Sequence, residues 1–393
     1  MKTRRTGRSA GVALAAAALL VTTACASTDS ANEADADALR VGLLFSKTGP
    51  AAPFGISERN GAWSVLTQAN EDGGVNGVKI EIFEADDKSD PTEAAQEARK
   101  LILEDKVHVL IGTSGSGSTL AFSPIAAQHK IPVLATAGAV DVTSQEHDFW
   151  PWIFRSGTSD NVALEAVFEQ LVAEGHEKIG VFAEETPYGD QSVSRLKKLV
   201  EAEGSTEIVA VAGAASTATD FSAQATRLRN ADPDVVVLVT AAPALGAGIT
   251  RAIRQDGSDV PIWGSQGLAQ DGYLSAAGKA AEGVRMPSPN NWTEPDADTQ
   301  ALSDLLEKYG YEGTSFESAG AHGAQFAVAA AEKVDGEYTG QAMRDALTET
   351  CLDTHAIGGE VCYTEEERDG IQTDGFVLLQ IKDGKFTTYA GSS

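Results

Sequence analysis

Val107-His108-Val109-Leu110-Ile111-Gly112-Thr113-Ser114-Gly115-Ser116-Gly117-Ser118 decides how the rest of this chain is read. Four aliphatic positions, Val107, Val109, Leu110 and Ile111, read as a buried strand, and the Gly/Ser run that follows reads as a tight loop opening a helix at Ser118. Such a loop aims backbone N–H groups, hydroxyls and the positive end of a helix dipole into the crevice at the carboxyl end of a parallel strand. A carboxylate fits there. The loop has no Walker lysine, and it has no GxSxG elbow because Ser116 stands two residues after Ser114. As a Ser/Gly turn that only caps a helix, it would occur in any α/β protein.

The same rhythm extends outward on both sides. Strands are expected at Leu39–Ser46, Lys79–Asp86, Pro132–Thr136 and Trp152–Ser156, with helices over 56–71, 91–104 and 118–129. Asp90-Pro91 marks the start of the second helix, a cap residue followed by the proline favoured in a first turn. The rhythm restarts after Ser156, with strands Ile179–Glu185, Glu207–Ala212, Val235–Thr240 and Pro261–Gln266 between helices near 160–173, 189–203, 218–230 and 244–256. A strand over Gly283–Ser288, helices over 297–309, 316–333 and 340–348, and a terminal strand Gly375–Lys382 complete the chain. The fold class is α/β, with two doubly wound parallel-sheet layers.

Composition narrows the function. The 393 residues hold 42% hydrophobic and 22% charged positions, ordinary globular values for two or three domains. Thirty basic against 57 acidic residues give a formal net charge of −27, which repels phosphate backbones and makes nucleic acid a poor partner. The six histidines never fall within five residues of one another, so no local zinc spacing exists, and no cofactor motif is complete. Gly246-Ala247-Gly248 lacks the third glycine of a dinucleotide fingerprint and reads as helix packing.

At the N-terminus Lys2, Arg4, Arg5 and Arg8 precede an apolar run from Ala10 to Val21, too short to span a bilayer but right for a signal-peptide core. Thr22-Thr23-Ala24-Cys25 resembles a bacterial lipobox, with Thr22 in place of the usual leucine. Ala24-Cys25-Ala26 also suits ordinary cleavage. Removing residues 1–24 takes four basic residues and no acidic one, leaving −31. Residues 25–38 lack apolar anchors and read as a flexible tether.

The order of motifs resembles the type I periplasmic binding proteins of the branched-chain amino-acid class, which serve ABC importers. Leu43-Leu44-Phe45-Ser46-Lys47-Thr48-Gly49-Pro50, Gly73-Gly74-Val75-Asn76-Gly77, Asp86-Asp87-Lys88-Ser89-Asp90-Pro91, Ile111-Gly112, Tyr188-Gly189 and Asp220-Phe221 follow one another at suitable intervals between Leu39 and Tyr389. The resemblance implies two lobes joined by three crossovers near Ser156, Ser288 and Gly370: residues 39–156 with 289–370, and 157–288 with 371–393. It implies a monomeric, non-enzymatic receptor that closes on a small ligand and delivers it to a permease and ATPase.

The resemblance also assigns positions. Ser116 matches the serine that holds a ligand carboxylate. Ala137 and Ala139 match residues offering a carbonyl to an ammonium and a hydroxyl to the carboxylate, the hydroxyl being lost at Ala139. Phe54 and Tyr188 match flanking aromatics, Ala242 stands where a tyrosine is expected, and Gln266 stands where an acid neutralises the ammonium. An ammonium buried without a negative partner costs several kcal/mol. The ligand is therefore an amino acid, or a small or aromatic carboxylate or amide that dispenses with the ammonium. A sensor for a membrane signalling partner, and a hydrolase with Ser114 or Ser116 as nucleophile, are the alternative functions. Cys351 and Cys362 read as a structural disulfide of an exported protein.

The lipobox yields a direct expectation. Two acyl chains, at ~0.8 kcal/mol per buried CH₂, hold a soluble body at a membrane where one does not. Mass spectrometry of the exported protein is expected to find a diacylated Cys25 as first residue; an unmodified Ser27 there would reject the anchor.

Overall fold

The computed structural model describes residues 38–391, apart from 241, 256 and 354–359. Cys25, the signal segment and the tether up to residue 37 lie outside the described residues.

The first half runs β1 (Leu39–Phe45), α1 (Ala52–Glu71), β2 (Ile80–Asp86), α2 (Pro91–Leu103), β3 (Val109–Ile111), α3 (Ser116–Gln128), β4 (Val133–Ala135) and β5 (Ile153–Arg155). These strands form one parallel sheet in the order β2-β1-β3-β4-β5. Leu39, Val41, Leu43 and Phe45 point to one face of β1 and Leu44 to the other, the period of two that a strand buried on both sides shows. On α2, Asp90 accepts from the backbone N–H groups of Thr92 and Glu93 at 2.8 and 3.0 Å, the expected cap.

The chain then forms α4 (Asp160–Ala173), β6 (Lys178–Glu184), α5 (Pro187–Glu203), β7 (Glu207–Ala214), α6 (Ser222–Asn230), β8 (Val235–Val239), α7 (Pro243–Arg254), β9 (Ile262–Gly264), α8 (Asp271–Ala277) and β10 (Arg285–Ser288). It continues through α9 (Ala297–Lys308), α10 (Ser315–Lys333), α11 (Gly340–Leu347), β11 (Cys351–Asp353), β12 (Glu360–Cys362), β13 (Val377–Lys382) and β14 (Lys385–Thr388). The second sheet has the order β14-β13-β10-β9-β8-β6-β7, parallel except for β13 and β14. On β8, Val236 and Leu238 face one core while Val235, Val237 and Val239 face the other. Helices α9 to α11 return to the first sheet, where Leu302, Leu306, Ala324, Met343 and Leu347 join the core of β1. Helix α4 belongs to both bodies: Ala163 and Ala166 enter the first core, Leu164, Val167 and Leu171 the second.

Several boundaries differ from the sequence reading. Helix α3 starts at Ser116, because Gly115 takes the extended cap conformation, so Ser116 occupies the first turn and not the loop. Helix α1 starts at Ala52, with Pro53 in its first turn. The terminal strand is half of a hairpin: Asp383 and Gly384 both take positive φ, 53° and 72°, the paired left-handed conformation of a two-residue turn. Cys351 and Cys362 are joined by a disulfide and stand opposite each other in a small antiparallel ladder.

Helices α1 and α10 meet backbone to backbone. A Cβ on Gly61 would lie 1.9 Å from the Glu317 carbonyl oxygen, and one on Gly320 would lie 1.8 Å from that of Glu58. Gly320→Ala should therefore force the helices apart and lower stability in urea unfolding by about 2–3 kcal/mol, the upper part of the usual overpacking range. Gly272→Ala is the control: its Cβ would meet nothing closer than Pro243 at 3.7 Å, and no loss is expected.

Candidate functional site: a cavity between the two sheets

The carboxyl ends of strands from both sheets open onto one cavity of about 250 Å³. The side formed with the first sheet contributes Phe54 and Glu58 from α1, Ser114 from the β3–α3 turn, Ser116 from the first turn of α3, and Thr136 and Gly138 after β4. Thr158 and Asp160 come from the segment leading into α4, Tyr188 from α5, and Gln266, Gly267, Ala269 and Gln270 from the turn after β9. Helix α10 closes the wall with Ser315, Phe316 and Ala319. Among these lining residues there is no Lys, Arg or His.

The β3–α3 turn is built for close approach. Gly112 has φ +139°, and a Cβ there would sit 1.8 Å from the Leu44 carbonyl oxygen, so only glycine fits. Gly115 has no side chain with which to cap α3, and the first bond of the helix is Thr119 N–H to the Gly115 carbonyl. The N–H groups of Ser116, Gly117 and Ser118 belong to the first turn, where an α-helix supplies no partner of its own. Together with the Ser116 hydroxyl they form a donor set suited to an anion.

Beside this turn stands Glu58, 1% exposed. Its carboxyl accepts from the Ser114 backbone N–H at 3.1 Å and from the Ser114 hydroxyl. Burial pushes its pKa up to about 8; the two Ser114 donors pull the other way, and the Asp87 carboxylate adds to the rise. Asp87, itself fully buried, is held by the Ser46 hydroxyl at 2.5 Å.

Across the cavity, Asp160 accepts from Gln266 Nε2 at 3.0 Å, and the Gln266 carbonyl oxygen accepts from the Thr158 hydroxyl. Burial raises the Asp160 carboxyl above its ordinary range, against the pull of Gln266 and of Arg155. Gly138 makes room for it: a Cβ there would stand 2.9 Å from both Asp160 oxygens. Tyr188 is held above its usual pKa by burial first and then by the Asp160 charge. Phe54 packs against Phe316 with ring centroids 4.7 Å apart, giving the cavity an apolar wall.

Of the residues singled out by sequence, Phe54, Ser116, Tyr188 and Gln266 line this cavity. Ala137 and Ala139 do not; their carbonyls turn away from it and accept from the guanidinium of Arg155, the second at 2.9 Å. Ala242 caps α7, donates its N–H to Thr240 Oγ1 at 3.0 Å, and is likewise outside the lining. Glu58, Asp160 and Phe316 were not foreseen. Glu58 had a signal, since it lies four residues after Phe54 on the same helix face. Phe316 had none, because nothing in a linear sequence pairs α10 with α1.

Known proteins resemble the chain over this whole region. The sequence profile described as periplasmic binding protein matches residues 38–385. The leucine-, isoleucine-, valine-, threonine- and alanine-binding protein of Pseudomonas aeruginosa is 27% identical over 322 residues, covering 81% of this chain and 84% of the relative. The Leu/Ile/Val-binding protein of Escherichia coli is 26% identical over 289 residues, or 72% and 76%. Among solved structures, an ABC transporter solute binding protein from Rhodopseudomonas palustris in complex with 4-hydroxybenzoate superposes with a TM-score of 0.76 at 20% identity, over 91% of this chain and 98% of that one. A branched-chain amino acid transporter substrate binding protein from Streptococcus pneumoniae in complex with isoleucine gives 0.74 at 20%, over 90% and 100%. At such identities the structures speak for the fold, and the profile match across both sheets makes this chain a member of the periplasmic binding protein family.

Proposed function

We propose that the protein is an extracytoplasmic solute receptor that delivers a small carboxylate-bearing ligand, an amino acid or a small aromatic acid, to the permease and ATPase of an ABC importer. The observation that carries this reading is the cavity itself, lined from both sheets and presenting the uncapped first turn of α3 with Ser116. The relatives' names, which cover branched-chain amino acids on one side and 4-hydroxybenzoate on the other, support the same range. Ser114 donates to a buried carboxyl and no histidine lines the cavity, which favours binding over a hydrolytic nucleophile. The protein acts as a monomer, held to the membrane only through Cys25.

The mechanism is closure. In this reading each sheet is the centre of one lobe, and the chain passes between them in three segments: after Arg155, after Ser288, and between Cys362 and Val377. Each lobe alone leaves its half of the ligand in water, so the anion is desolvated only when the lobes meet. The ligand carboxylate sits on Ser116 and the α3 N–H groups, its apolar part against Phe54 and Phe316, and its far end toward Tyr188 and the Asp160–Gln266 pair. Asp160 revises the expectation drawn from Gln266: the acid that the glutamine replaces has a neighbour three ångströms away, so an ammonium is not left without a counter-charge.

Small-angle scattering is expected to show a smaller radius of gyration on saturation with ligand; an unchanged radius would remove the closure mechanism. Ser116→Ala is expected to weaken binding by about 1.5–3 kcal/mol, the worth of a hydrogen bond to a charged group. Asp160→Asn separates the ligand classes by sign. In calorimetry it is expected to weaken isoleucine, whose ammonium loses its partner, and to tighten benzoate, which no longer faces a negative charge. Equal effects on both would show that Asp160 is not the amine end of the site.

A further inference from the structure

The ligand anion and Glu58 compete for the same few ångströms. Ser114, which donates both its N–H and its hydroxyl to Glu58, is two residues from Ser116, and all three residues line the cavity. A carboxylate seated on the α3 turn therefore lies in the immediate surroundings of a second carboxyl group. Two carboxylates so placed repel each other, which favours a proton on one of them unless a cation lies between.

Among the described residues, no Lys, Arg or His lines the cavity to supply one. On its own helix, Glu58 is followed by Arg59, whose guanidinium is committed to Glu84 at 2.6 Å and reaches Tyr311. From the β2–α2 turn comes Asp87, another acid, and from the segment after β4 the neutral Thr136. Helix α10 brings Glu317, whose carboxyl is held by Thr314, and His322, which bonds the Ser156 carbonyl at 2.8 Å and which burial keeps neutral, down at about 4. The far wall offers Asp160 and Tyr188. Arg155, a buried guanidinium, is spent on Asp369, Thr143 and the Ala137 and Ala139 carbonyls.

We infer that Glu58 is a specificity residue that must carry a proton for this cavity to hold a carboxylate, so that ligand capture is coupled to the protonation of a single buried acid. Protonated, Glu58 removes a repelling charge beside the anion and has an O–H to donate toward it; ionised, it occupies the Ser114 donors as a rival anion. This rests on the carboxylate reading above. The sign follows: an anion prefers the protonated protein, so its affinity is level below the carboxyl's pKa and falls above it. A cationic ligand would show the reverse, binding more tightly as pH rises.

The test is calorimetry of benzoate and isoleucine on the full exported chain between pH 6.5 and 9.5. With the free carboxyl titrating at about 8, benzoate affinity is expected to fall about thirtyfold between neutrality and pH 9.5, the inverse of the protonated fraction. Repeating the titration at pH 8.5 in two buffers of different ionisation enthalpy should register uptake of most of one proton per benzoate bound. Glu58→Gln, which carries its hydrogens at every pH, should lose both the fall and the uptake. Because the proton count needs only the unaltered protein, the inference stays testable if that variant fails to fold. Benzoate binding with flat affinity and no uptake, affinity that rises with pH, or an undiminished fall in Glu58→Gln would each overturn it. Failure of both probes to bind at any pH would overturn the carboxylate reading beneath it and the inference with it; binding without proton uptake overturns the inference alone.

Discussion

One buried guanidinium holds the site's frame. Arg155 is fully buried at the end of β5, and its Nε donates to Asp369 at 2.6 Å while its two terminal nitrogens donate to the carbonyls of Ala137 and Ala139 and, at 2.7 Å, to Thr143. Its own backbone is gripped as well, the N–H donating to the Arg368 carbonyl at 2.8 Å and the carbonyl accepting from Tyr363 at 2.6 Å. A charge taken so far from water is tolerated only with its partners in place; removing one typically costs about 3–5 kcal/mol. The first and third passages between the sheets are thus clasped to each other and to the chain beyond β4. With the carbonyls of Ala137 and Ala139 held by Arg155, the alternate residues Thr136 and Gly138 are the ones that line the cavity. The wall that meets a ligand is set by a residue that never touches it.

A second constraint is the contact of α1 with α10. Glycines at 61 and 320 let the two helices approach until their backbones touch, and that approach brings Phe316 against Phe54 over Glu58. The closeness also explains the burial of Glu58: the residue stands beneath a helix that arrives some 260 positions later in the chain. The charge state of the cavity is in this sense a by-product of helix packing.

The layered α/β fold was legible because its signals are local and repeated. β-Branched runs alternate with capped amphipathic stretches, and Gly112 at the end of β3 stands where no Cβ fits. The Asp383-Gly384 turn is equally local, and it adds β14 after the strand that the sequence pattern marks as terminal. Ser116 after β3, Tyr188 opening α5 and Gln266 after β9 stand beside turns that the sequence marks locally, and they line the cavity. Glu58, Asp160 and Phe316 join them through the meeting of distant segments, which no local pattern signals. Gln266 shows the difference best. Read along the chain it is a neutral residue where an acid is expected; in space it donates to Asp160, an acid more than a hundred residues earlier, and the electrostatic conclusion changes with it.

The late return of α10 also bears on how the molecule is made. The β1 face formed by Leu39, Val41, Leu43 and Phe45 packs with Ala321, Ala324, Phe326 and Ala327 as well as with Ala62 and Leu66 of α1, so during synthesis from the N-terminus the first sheet has α1 on that side long before the apolar surface of α10 completes it. The second sheet's parallel strands, by contrast, emerge in one continuous stretch, and only its edge hairpin comes later. The order of assembly is consequently inverted relative to the order of translation: the part begun first is finished after the core of the part begun second, and a nascent chain halted before Ser315 displays an adhesive surface to whatever chaperone or neighbouring chain is at hand.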